Sequence, residues 1–252
     1  MLDVRDLTVR YGDLTILDRI SFQVNPGDWL MIIGPNGAGK STIIHAVSQV
    51  APYQGEILLK GRNIRDYKAG HRAQLLGVLT QHHPLNYPFS VEEVIRLGRY
   101  AYAPWIFSRS DDEGEAYIQR AIEQTGLGSM LKQSILTLSG GEIQRVFLAQ
   151  LFAQNPNILI LDEPANHLDL VYQKQTFGLL KDWLKKPDRA IVSVVHDLGP
   201  ARAYGERALL LNKGKVEAQG PIGEVLTEAN LNRVYGMDVF AWMRNMLGQW
   251  QN

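Results

Sequence analysis

The segment GPNGAGKS, residues 34–41, constrains the fold of this chain more than any other stretch. It follows the apolar run WLMII and precedes a helix that we predict from about Gly39 to Val50. The segment matches the pattern G-x-x-x-x-G-K-[ST], in which glycines leave backbone N–H groups free to surround phosphate oxygens. Lys40 can then reach the β- and γ-phosphates of a nucleotide, and Ser41 can hold Mg²⁺. The predicted phosphate-binding residues are Gly34, Pro35, Asn36, Gly37, Ala38, Gly39, Lys40, Ser41 and Thr42.

A second apolar run, ILILDEP at residues 158–164, ends in two adjacent carboxylates. Four consecutive apolar residues are typical of a buried parallel strand, and ligands gather at the carboxyl ends of such strands. We expect Asp162 to hold Mg²⁺ and Glu163 to orient or deprotonate the water that attacks the γ-phosphate. Taken alone, such an acidic pair is more often a solvated turn, but a neighbouring phosphate-binding loop favours the functional interpretation.

The composition limits the classes of partner. The 252 residues contain 26 Lys and Arg and 26 Asp and Glu, so the formal net charge is zero. Because broad nucleic-acid binding usually leaves a basic excess, we expect no nucleic-acid partner. The absence of cysteine excludes disulfides and thiolate metal sites. Charges throughout residues 1–13 argue against a signal peptide, and no apolar run approaches the roughly 20 residues of a membrane span, so we expect any membrane role to act through a partner.

The apolar pattern along the chain indicates the fold class. Alternation predicts strands in LDVRDLTV and ISFQV, and further strands are expected in GEILLKG and in AQLLGVLTQ, residues 73–81. From about Pro84 the pattern changes to helices, one of them starting at a capping box formed by Ser90 and Glu93. Strands and helices alternate again after Asn155, and a hairpin is expected to turn at residues 213–214. We therefore predict an α/β core with an inserted α subdomain.

Two adjacent glycines in LSGGEIQR, residues 138–145, directly precede a stretch with strong helical character. Glycine inside a helix costs about 1 kcal/mol relative to alanine, so we expect Gly140 and Gly141 at the start of this helix. Ser139 would then be the N-cap. A helix end that no side chain covers can receive an anion, because its free N–H groups and its dipole favour negative charge.

Taken together, these motifs resemble those of the ATP-binding cassette (ABC) ATPases. LSGGE is similar to the family signature, and Gln81 is similar to the Q-loop glutamine. Asp169 in NHLD resembles the D-loop acid, and His196 after IVSVV resembles the switch histidine. Tyr11 lies where the family places an aromatic ring that stacks on adenine. The resemblance covers about residues 2–220 and implies an ATPase that uses ATP and Mg²⁺.

The resemblance also implies a P-loop NTPase core of the α/β class, with an antiparallel β subdomain and an inserted α-helical subdomain. We expect one cassette domain over residues 1–252. The nucleotide-binding core and its β subdomain would lie in residues 1–83 and 156–252, and the helical signature subdomain in residues 84–155.

In this family two subunits pair head to tail. The implied role of Ser139, Gly140 and Gly141 is therefore to complete the nucleotide site of a second copy, whose γ-phosphate the signature helix faces. The implied catalytic residues are Glu163, His196, Gln81 and Lys40, the implied Mg²⁺ ligands are Ser41, Gln81 and Asp162, and the further implied ATP contacts are Tyr11 and Asp169.

Residues 88–127 resemble the helical subdomain of importers for iron–siderophore complexes, haem and cobalamin. The implied protein is the ATPase subunit of such an importer, on the cytoplasmic face of the inner membrane under two permease subunits, indirectly served by a substrate-binding protein. Ala101-Tyr102-Ala103 replaces the proline–histidine pair often seen there, which leaves the substrate open. Alternatives are a soluble cassette ATPase of cytosolic assembly, such as iron–sulfur cluster assembly, and another class of ABC transporter. A small-molecule kinase is disfavoured by the signature, the D-loop and His196.

Two departures from the family pattern are small. Asn166 stands where serine is common in the D-loop, and Glu142 replaces the commoner glutamine of the signature. We expect neither to touch a catalytic role.

Three further groups of residues allow more than one interpretation. The aromatic residues after Gln81 form either a small subdomain core or a groove for a helix of the permease; they are Tyr87, Phe89, Tyr100, Tyr102, Trp105 and Phe107. Near the C-terminus, Trp242, Met246 and Trp250 are spaced to share one helix face, which is expected to pack on its own domain or on a twin subunit. His82, His83 and His167 are interpreted as ordinary loop or packing residues.

Overall fold

The computed structural model describes residues 1–80, 87–102, 112–166 and 168–250. The strands are β1 (Leu2–Tyr11), β2 (Leu14–Val24), β3 (Trp29–Ile33), β4 (Gln54–Leu59), β5 (Arg62–Asn63), β6 (Leu76–Leu79), β7 (Ile158–Asp162), β8 (Ala190–Val194), β9 (Arg207–Asn212) and β10 (Lys215–Pro221). The α-helices are α1 (Lys40–Val47), α2 (Ala69–Leu75), α3 (Val91–Leu97), α4 (Asp112–Thr125), α5 (Gly140–Gln154), α6 (Leu170–Leu184), α7 (Leu198–Tyr204), α8 (Ile222–Val225), α9 (Glu228–Tyr235) and α10 (Val239–Gly248). Gln81, His82, His83, Ala103, Trp105, Phe107 and His167 lie outside the described residues.

The larger sheet has the strand order β10-β9-β3-β8-β7-β6 within the described part of the chain. Its strands β9, β3, β8, β7 and β6 pair in parallel, and only β10 joins antiparallel, through the hairpin after β9. The hairpin turns at Lys213 and Gly214, both with positive φ, as the sequence predicts. Parallel strands bring their carboxyl ends to one edge, which is where the candidate site forms.

A smaller antiparallel sheet has the order β2-β1-β4-β5. It is the predicted antiparallel β layer, and together with the parallel sheet it confirms the α/β fold class of a P-loop NTPase core. The division of the chain into a core and a helical subdomain at residues 84 and 155 stays a prediction.

The larger sheet is buried on both faces, and β3 shows how the sequence achieves this. All five of its residues are buried, as its unbroken apolar run predicts. Trp29, Met31 and Ile33 belong to a core shared with α5 and α6. Leu30 and Ile32 belong to a second core shared with α1 and the antiparallel sheet. Alternate residues therefore fix the central strand between two layers.

Several helices begin at side-chain caps that the sequence predicts. Ser90 and Glu93 form the predicted capping box at α3. Ser139 caps α5 in the same way, and Asp169 caps α6 by accepting a hydrogen bond from the backbone N–H of Tyr172 at 2.9 Å. Each cap satisfies N–H groups that have no partner within the helix.

Two local features, the start of β6 and the packing of α10, differ in part from what the sequence predicts. Residues 73–81 were expected to form one strand, but residues 73–75 end α2 and only residues 76–79 form β6. On α10, Phe240 and Met243 pack against the chain's own core, whereas Trp242 and Met246 are exposed.

No helix within the described residues has both the length and the apolar character that crossing a membrane requires.

Candidate nucleotide-binding and catalytic site

Three neighbouring parallel strands bring the predicted site together. The glycine-rich loop follows β3, His196 lies just after β8, and Asp162 ends β7 with Glu163 next in the chain. One cleft at this edge is lined by Ile16, Asn36, Gly37, Gly39, Lys40, Ser41, Thr42, Glu163 and His196. Apart from Ile16, all of these residues were predicted from the sequence, and the parallel order of the strands explains why they meet.

The glycines of the loop are required by its backbone path. Gly34 has φ +154°, and a Cβ atom there would lie 2.3 Å from the carbonyl oxygen of Leu211. Gly39 has φ +97°, and its Cβ would lie 2.5 Å from the Leu17 Cδ2 atom. Side chains at these two positions would clash with the neighbouring strands, so the loop can wrap tightly only with glycine.

Lys40 is buried at the base of the cleft. Its Nζ donates hydrogen bonds to the carbonyl oxygens of Gly34 at 2.8 Å and Pro35 at 2.9 Å. Burial lowers the pKa of the ammonium, and the nearby carboxylates of Glu163 and Asp162 partly offset that effect. The ammonium is thus held inside the curve of the loop, where the phosphate groups of a nucleotide would lie.

Asp162 and Ser41 form the oxygen pair expected for Mg²⁺. Ser41 Oγ donates to Asp162 Oδ1 at 3.2 Å, and burial raises the pKa of the Asp162 carboxyl. Among the described residues no group of three or more His, Cys, Asp or Glu side chains could form an all-protein metal cage. Mg²⁺ usually takes only one or two carboxylates together with substrate phosphates and water, so this pair of hard oxygen donors fits it.

Glu163 has an unusual backbone, and its side chain contacts His196 and Asn166. Its φ is +54°, a left-handed conformation that is strained for a non-glycine residue and is found preferentially at functional sites. Its side chain is only 6% exposed, and Oε1 contacts His196 Nε2. The amide Nδ2 of Asn166 donates to the other carboxylate oxygen, Oε2.

We expect neither Asn166 nor Glu142 to touch a catalytic role, and the structure places both in contact with predicted site residues. Asn166 contacts the predicted general base directly. Glu142 accepts hydrogen bonds at 2.8 Å from both the backbone N–H and the hydroxyl of Ser139, the predicted phosphate contact of the signature. That backbone hydrogen bond holds the pKa of the Glu142 carboxyl below its ordinary value. Sequence spacing alone could have shown the capping box, since Ser139 and Glu142 stand three residues apart.

The signature helix presents one open glycine and one packed glycine. A Cβ atom on Gly140 would meet nothing within 4 Å, whereas one on Gly141 would lie 2.8 Å from the ring of Tyr172. Ser139, Gly140 and Gly141 are not among the residues that line the phosphate cleft of their own chain. The helix start that the sequence predicts is therefore present and lies outside the lining of that cleft.

Two other predicted ATP contacts, Tyr11 and Asp169, are not among the residues that line the cleft. Tyr11 ends β1 with an exposed ring, and Ile16 of β2 lines the cleft instead. One carboxylate oxygen of Asp169 accepts the N-cap hydrogen bond of α6. Gln81 follows the end of β6 but lies outside the described residues. The roles of these three residues in nucleotide binding stay predictions.

A family model described as "ABC transporter" matches residues 17–166, from β2 through the loop that carries Glu163 and Asn166. The chain belongs to the ABC transporter family. The match confirms the resemblance seen in the motifs and the class of enzyme that they predict, an ATPase.

Curated relatives support the same family. YvrA of Bacillus subtilis (strain 168), an uncharacterized ABC transporter ATP-binding protein, is 40% identical over 232 residues, which cover 92% of this chain and 52% of YvrA. This chain thus spans about half the length of YvrA. The hemin import ATP-binding protein HmuV of Streptomyces coelicolor is 39% identical over 92% of this chain and 82% of its own. The ferric enterobactin transport ATP-binding protein FepC of Escherichia coli (strain K12) is 34% identical over 92% and 85%.

Among solved structures, the fold is similar to that of MJ0796, a bacterial ABC transporter cassette whose structure is dimeric. The TM-score is 0.78 and the identity 25%, with 88% of this chain and 99% of that chain covered. The similarity supports the arrangement of the two sheets and the signature helix described above.

Proposed function

We propose that this ABC ATPase is the ATP-hydrolysing subunit of an importer for haem, an iron–siderophore complex or cobalamin. The observation that carries the proposal is the cleft in which the phosphate loop, Glu163 and His196 meet. The names of the relatives HmuV and FepC support the importer class and the iron-containing cargo. The cargo itself would be selected by partner subunits, because the cleft is built for phosphate groups.

The chemistry assigned to the cleft is attack of water on the γ-phosphate. Glu163 would take the proton of the water, a role that typically contributes 10²–10⁴-fold, or about 3–5 kcal/mol of barrier. Lys40 would stabilise the negative charge of the β- and γ-phosphates, and His196 would contact the γ-phosphate from the end of β8. Ser41 and Asp162 would hold Mg²⁺, which neutralises charge on the phosphate oxygens when it is bound. Gln81 is proposed as a further Mg²⁺ ligand.

We assign the open signature end to the nucleotide of a second copy. Ser139 and the N–H groups of Gly140 and Gly141 form an anion-binding helix start that does not line its own cleft. The dimeric structure of the similar cassette MJ0796 supports pairing of two chains. In a head-to-tail pair the γ-phosphate would bridge the subunits, so its hydrolysis would allow them to separate.

The permease is proposed to contact a groove at the exposed side of α3. The groove is lined by Phe89, Glu93, Arg96, Leu97, Arg99 and Tyr100. Phe89 and Leu97 are about half exposed and Tyr100 is 81% exposed, so a short amphipathic helix could bury them. Tyr102 is not among the groove residues, and its ring stacks on the guanidinium of Arg99, with 3.7 Å between the guanidinium carbon and the ring centroid.

Partner and location follow from this assignment. Two permease subunits would hold the ATPase at the cytoplasmic face of the inner membrane, and a substrate-binding protein would deliver the cargo to the permease. Within the described residues the chain supplies no membrane-spanning helix of its own, so we assign membrane attachment to the permease contact.

The test of the proposed function is uptake in a strain that lacks this subunit. Growth or uptake with haem, siderophores and cobalamin should be lost and then restored by the wild-type chain. Glu163→Gln should fail to restore uptake while keeping ATP affinity, because the carboxylate base is gone. Glu224→Gln is the matched control, because Glu224 is exposed on α8 and far along the chain from the cleft residues. Normal uptake without the subunit, or co-purification with soluble assembly proteins rather than a permease, would favour the cytosolic alternative.

The groove has its own test. Tyr100→Glu should uncouple transport from ATP hydrolysis while the isolated chain still binds ATP, because a carboxylate replaces the most exposed aromatic ring of the groove. Val50→Glu is the matched control, since Val50 is also an exposed apolar residue and does not line the groove. Transport at the wild-type rate in Tyr100→Glu would place the permease contact elsewhere.

A further inference from the structure

We propose that Asn166 is a positioning residue that holds the general base Glu163 in the orientation needed for attack on ATP. This inference rests on the proposed function, in which Glu163 takes the proton of the attacking water. The two oxygens of the Glu163 carboxylate have different donors: His196 contacts Oε1, and the Asn166 amide donates to Oε2. The base is therefore held at two points, one on each side.

The backbone around Glu163 places Asn166 where it can do this. The N–H of Glu163 donates to the carbonyl of Val194 at 3.1 Å, and the N–H of Asn166 donates back to the carbonyl of Glu163 at 3.1 Å. The chain thus makes a tight turn in which residue 166 returns to residue 163. The left-handed φ of Glu163 is part of the same turn.

The signature helix α5 anchors this turn from outside. Gln144 Nε2 donates to the carbonyl oxygen of Pro164 at 2.6 Å, so the residue directly after the base is tied to α5. Because the turn is fixed at Val194 on one side and at Gln144 on the other, the position of the Asn166 amide is set by the fold. It does not depend on a flexible loop tip.

Residue type matters at this position. The Asn166 amide nitrogen lies two bonds beyond Cβ, whereas the hydroxyl of a serine would end one bond beyond Cβ. On the same backbone a serine would therefore stop short of Glu163 Oε2. A carboxylate can accept about four hydrogen bonds, so the two donors fix its plane and still leave acceptor positions for water. Without the amide, Oε2 of the carboxylate loses this donor, and the hydrogen bond no longer restrains rotation about the last side-chain bond.

The test compares Asn166→Asp with Asn166→Ala in the full chain. Aspartate keeps the shape of asparagine but removes the donor and sets a second negative charge against Glu163. We expect kcat to fall about tenfold in Asn166→Ala, as for loss of a hydrogen bond to a charged group, and further in Asn166→Asp. The KM for ATP should change by less than about twofold in Asn166→Ala, because no phosphate contact is removed and no charge is added.

Asn245→Asp on the exposed part of α10 is the matched control for added charge and should leave kcat unchanged. Thermal unfolding and nucleotide titration should show that each variant is folded and binds ATP. If Asn166 had only a structural role, its replacement would change stability or KM together with kcat, and the isosteric aspartate would be tolerated. Near-native kcat in Asn166→Asp would therefore overturn the proposal.

Glu163→Gln separates this inference from the assignment on which it rests. If Glu163→Gln hydrolyses ATP at a near-native rate, the base assignment fails and the proposal fails with it. If Glu163→Gln is inactive but Asn166→Ala keeps its kcat, only the positioning role fails. In the double variant, Asn166→Ala should add no further loss to the residual single-turnover rate of Glu163→Gln, because the base that it positions is already gone.

Discussion

Alanine at Gly140 or Gly141 should separate folding of the chain from its ATP-dependent pairing. The two glycines are adjacent at the start of α5, yet their surroundings differ. A methyl group on Gly140 would enter open space, and one on Gly141 would lie 2.8 Å from Cδ2 and 2.9 Å from Cγ of Tyr172. These ring atoms lie close to the Tyr172 backbone, so the ring cannot simply swing aside.

The expected stability of each variant follows from two opposing effects. Alanine is favoured over glycine in a helix by up to about 1 kcal/mol, so Gly140→Ala should be neutral or slightly stabilising. Gly141→Ala gains the same term but overpacks the Tyr172 ring, which typically costs about 1–3 kcal/mol. The second variant should therefore melt roughly 2–12 °C below the first, at about 2–4 °C per kcal/mol for a chain of this size.

ATP-dependent pairing should be lost in Gly140→Ala, the variant whose stability is expected to change least. In a Glu163→Gln background ATP should trap a dimer, and the methyl group of Gly140→Ala would stand where the partner's γ-phosphate approaches the open helix end. We expect this variant to remain monomeric with ATP and Mg²⁺ in size-exclusion chromatography although it is fully folded. Gly178→Ala is the matched control, because its Cβ also meets nothing within 4 Å, but on α6 away from the signature.

Two results would refute this reasoning. An ATP-trapped dimer in Gly140→Ala that is as stable as the wild-type dimer would show that the helix end does not face a phosphate. Equal melting temperatures for the two alanine variants would show that Tyr172 does not pack on Gly141.

Three further predictions concern the caps and the cleft. Ser139→Ala and Ser90→Ala each remove a capping box and should each destabilise the chain by about 1 kcal/mol in urea unfolding. Only Ser139→Ala should also lower ATP hydrolysis, and equal activity in both variants would argue against a phosphate contact. Burial raises the pKa of the Asp162 carboxyl group in the folded chain. Ionisation of this group therefore lowers the stability of the folded chain as the pH rises above 3.8, the ordinary pKa of an aspartate. Asp162→Asn keeps the acceptor for the Ser41 hydroxyl, so it should raise the melting temperature of the nucleotide-free chain more at about pH 7 than at about pH 4.5; a rise that does not depend on pH would contradict this. Lys40→Ala should weaken binding of a fluorescent ATP analogue and hydrolysis together, whereas the exposed Lys68→Ala should change neither.

Much of the fold could be predicted because its signals are local. The apolar runs of β3 and β7, the glycines of the phosphate loop and the serine caps of α3 and α5 each act within a few residues. Parallel pairing then brings the carboxyl ends of β3, β7 and β8 together without further information. Residues 73–75 show the limit of this approach, because leucine-rich sequence suits the end of α2 as well as the start of β6.

The parts of the site that could not be predicted depend on long-range packing or on one unusual dihedral angle. Asn166 reaches Glu163 because the backbone at Glu163 is left-handed, which no sequence pattern of glutamate indicates. The contact between Gln144 and the Pro164 carbonyl joins residues 20 apart, and the Tyr172 ring meets Gly141 across two helices. Family resemblance located the motifs, whereas these contacts between motifs needed the structure.

The central claim is that each triphosphate is held by the phosphate loop of one copy and the signature helix of another. Because the chain contains no cysteine, the pair Asn36→Cys and Ser139→Cys can be cross-linked with a short thiol reagent without background. In the Glu163→Gln background, the double-cysteine chain should give a covalent dimer with ATP and Mg²⁺, and each single-cysteine chain should not. An ATP-bound dimer that forms no such cross-link would contradict the account.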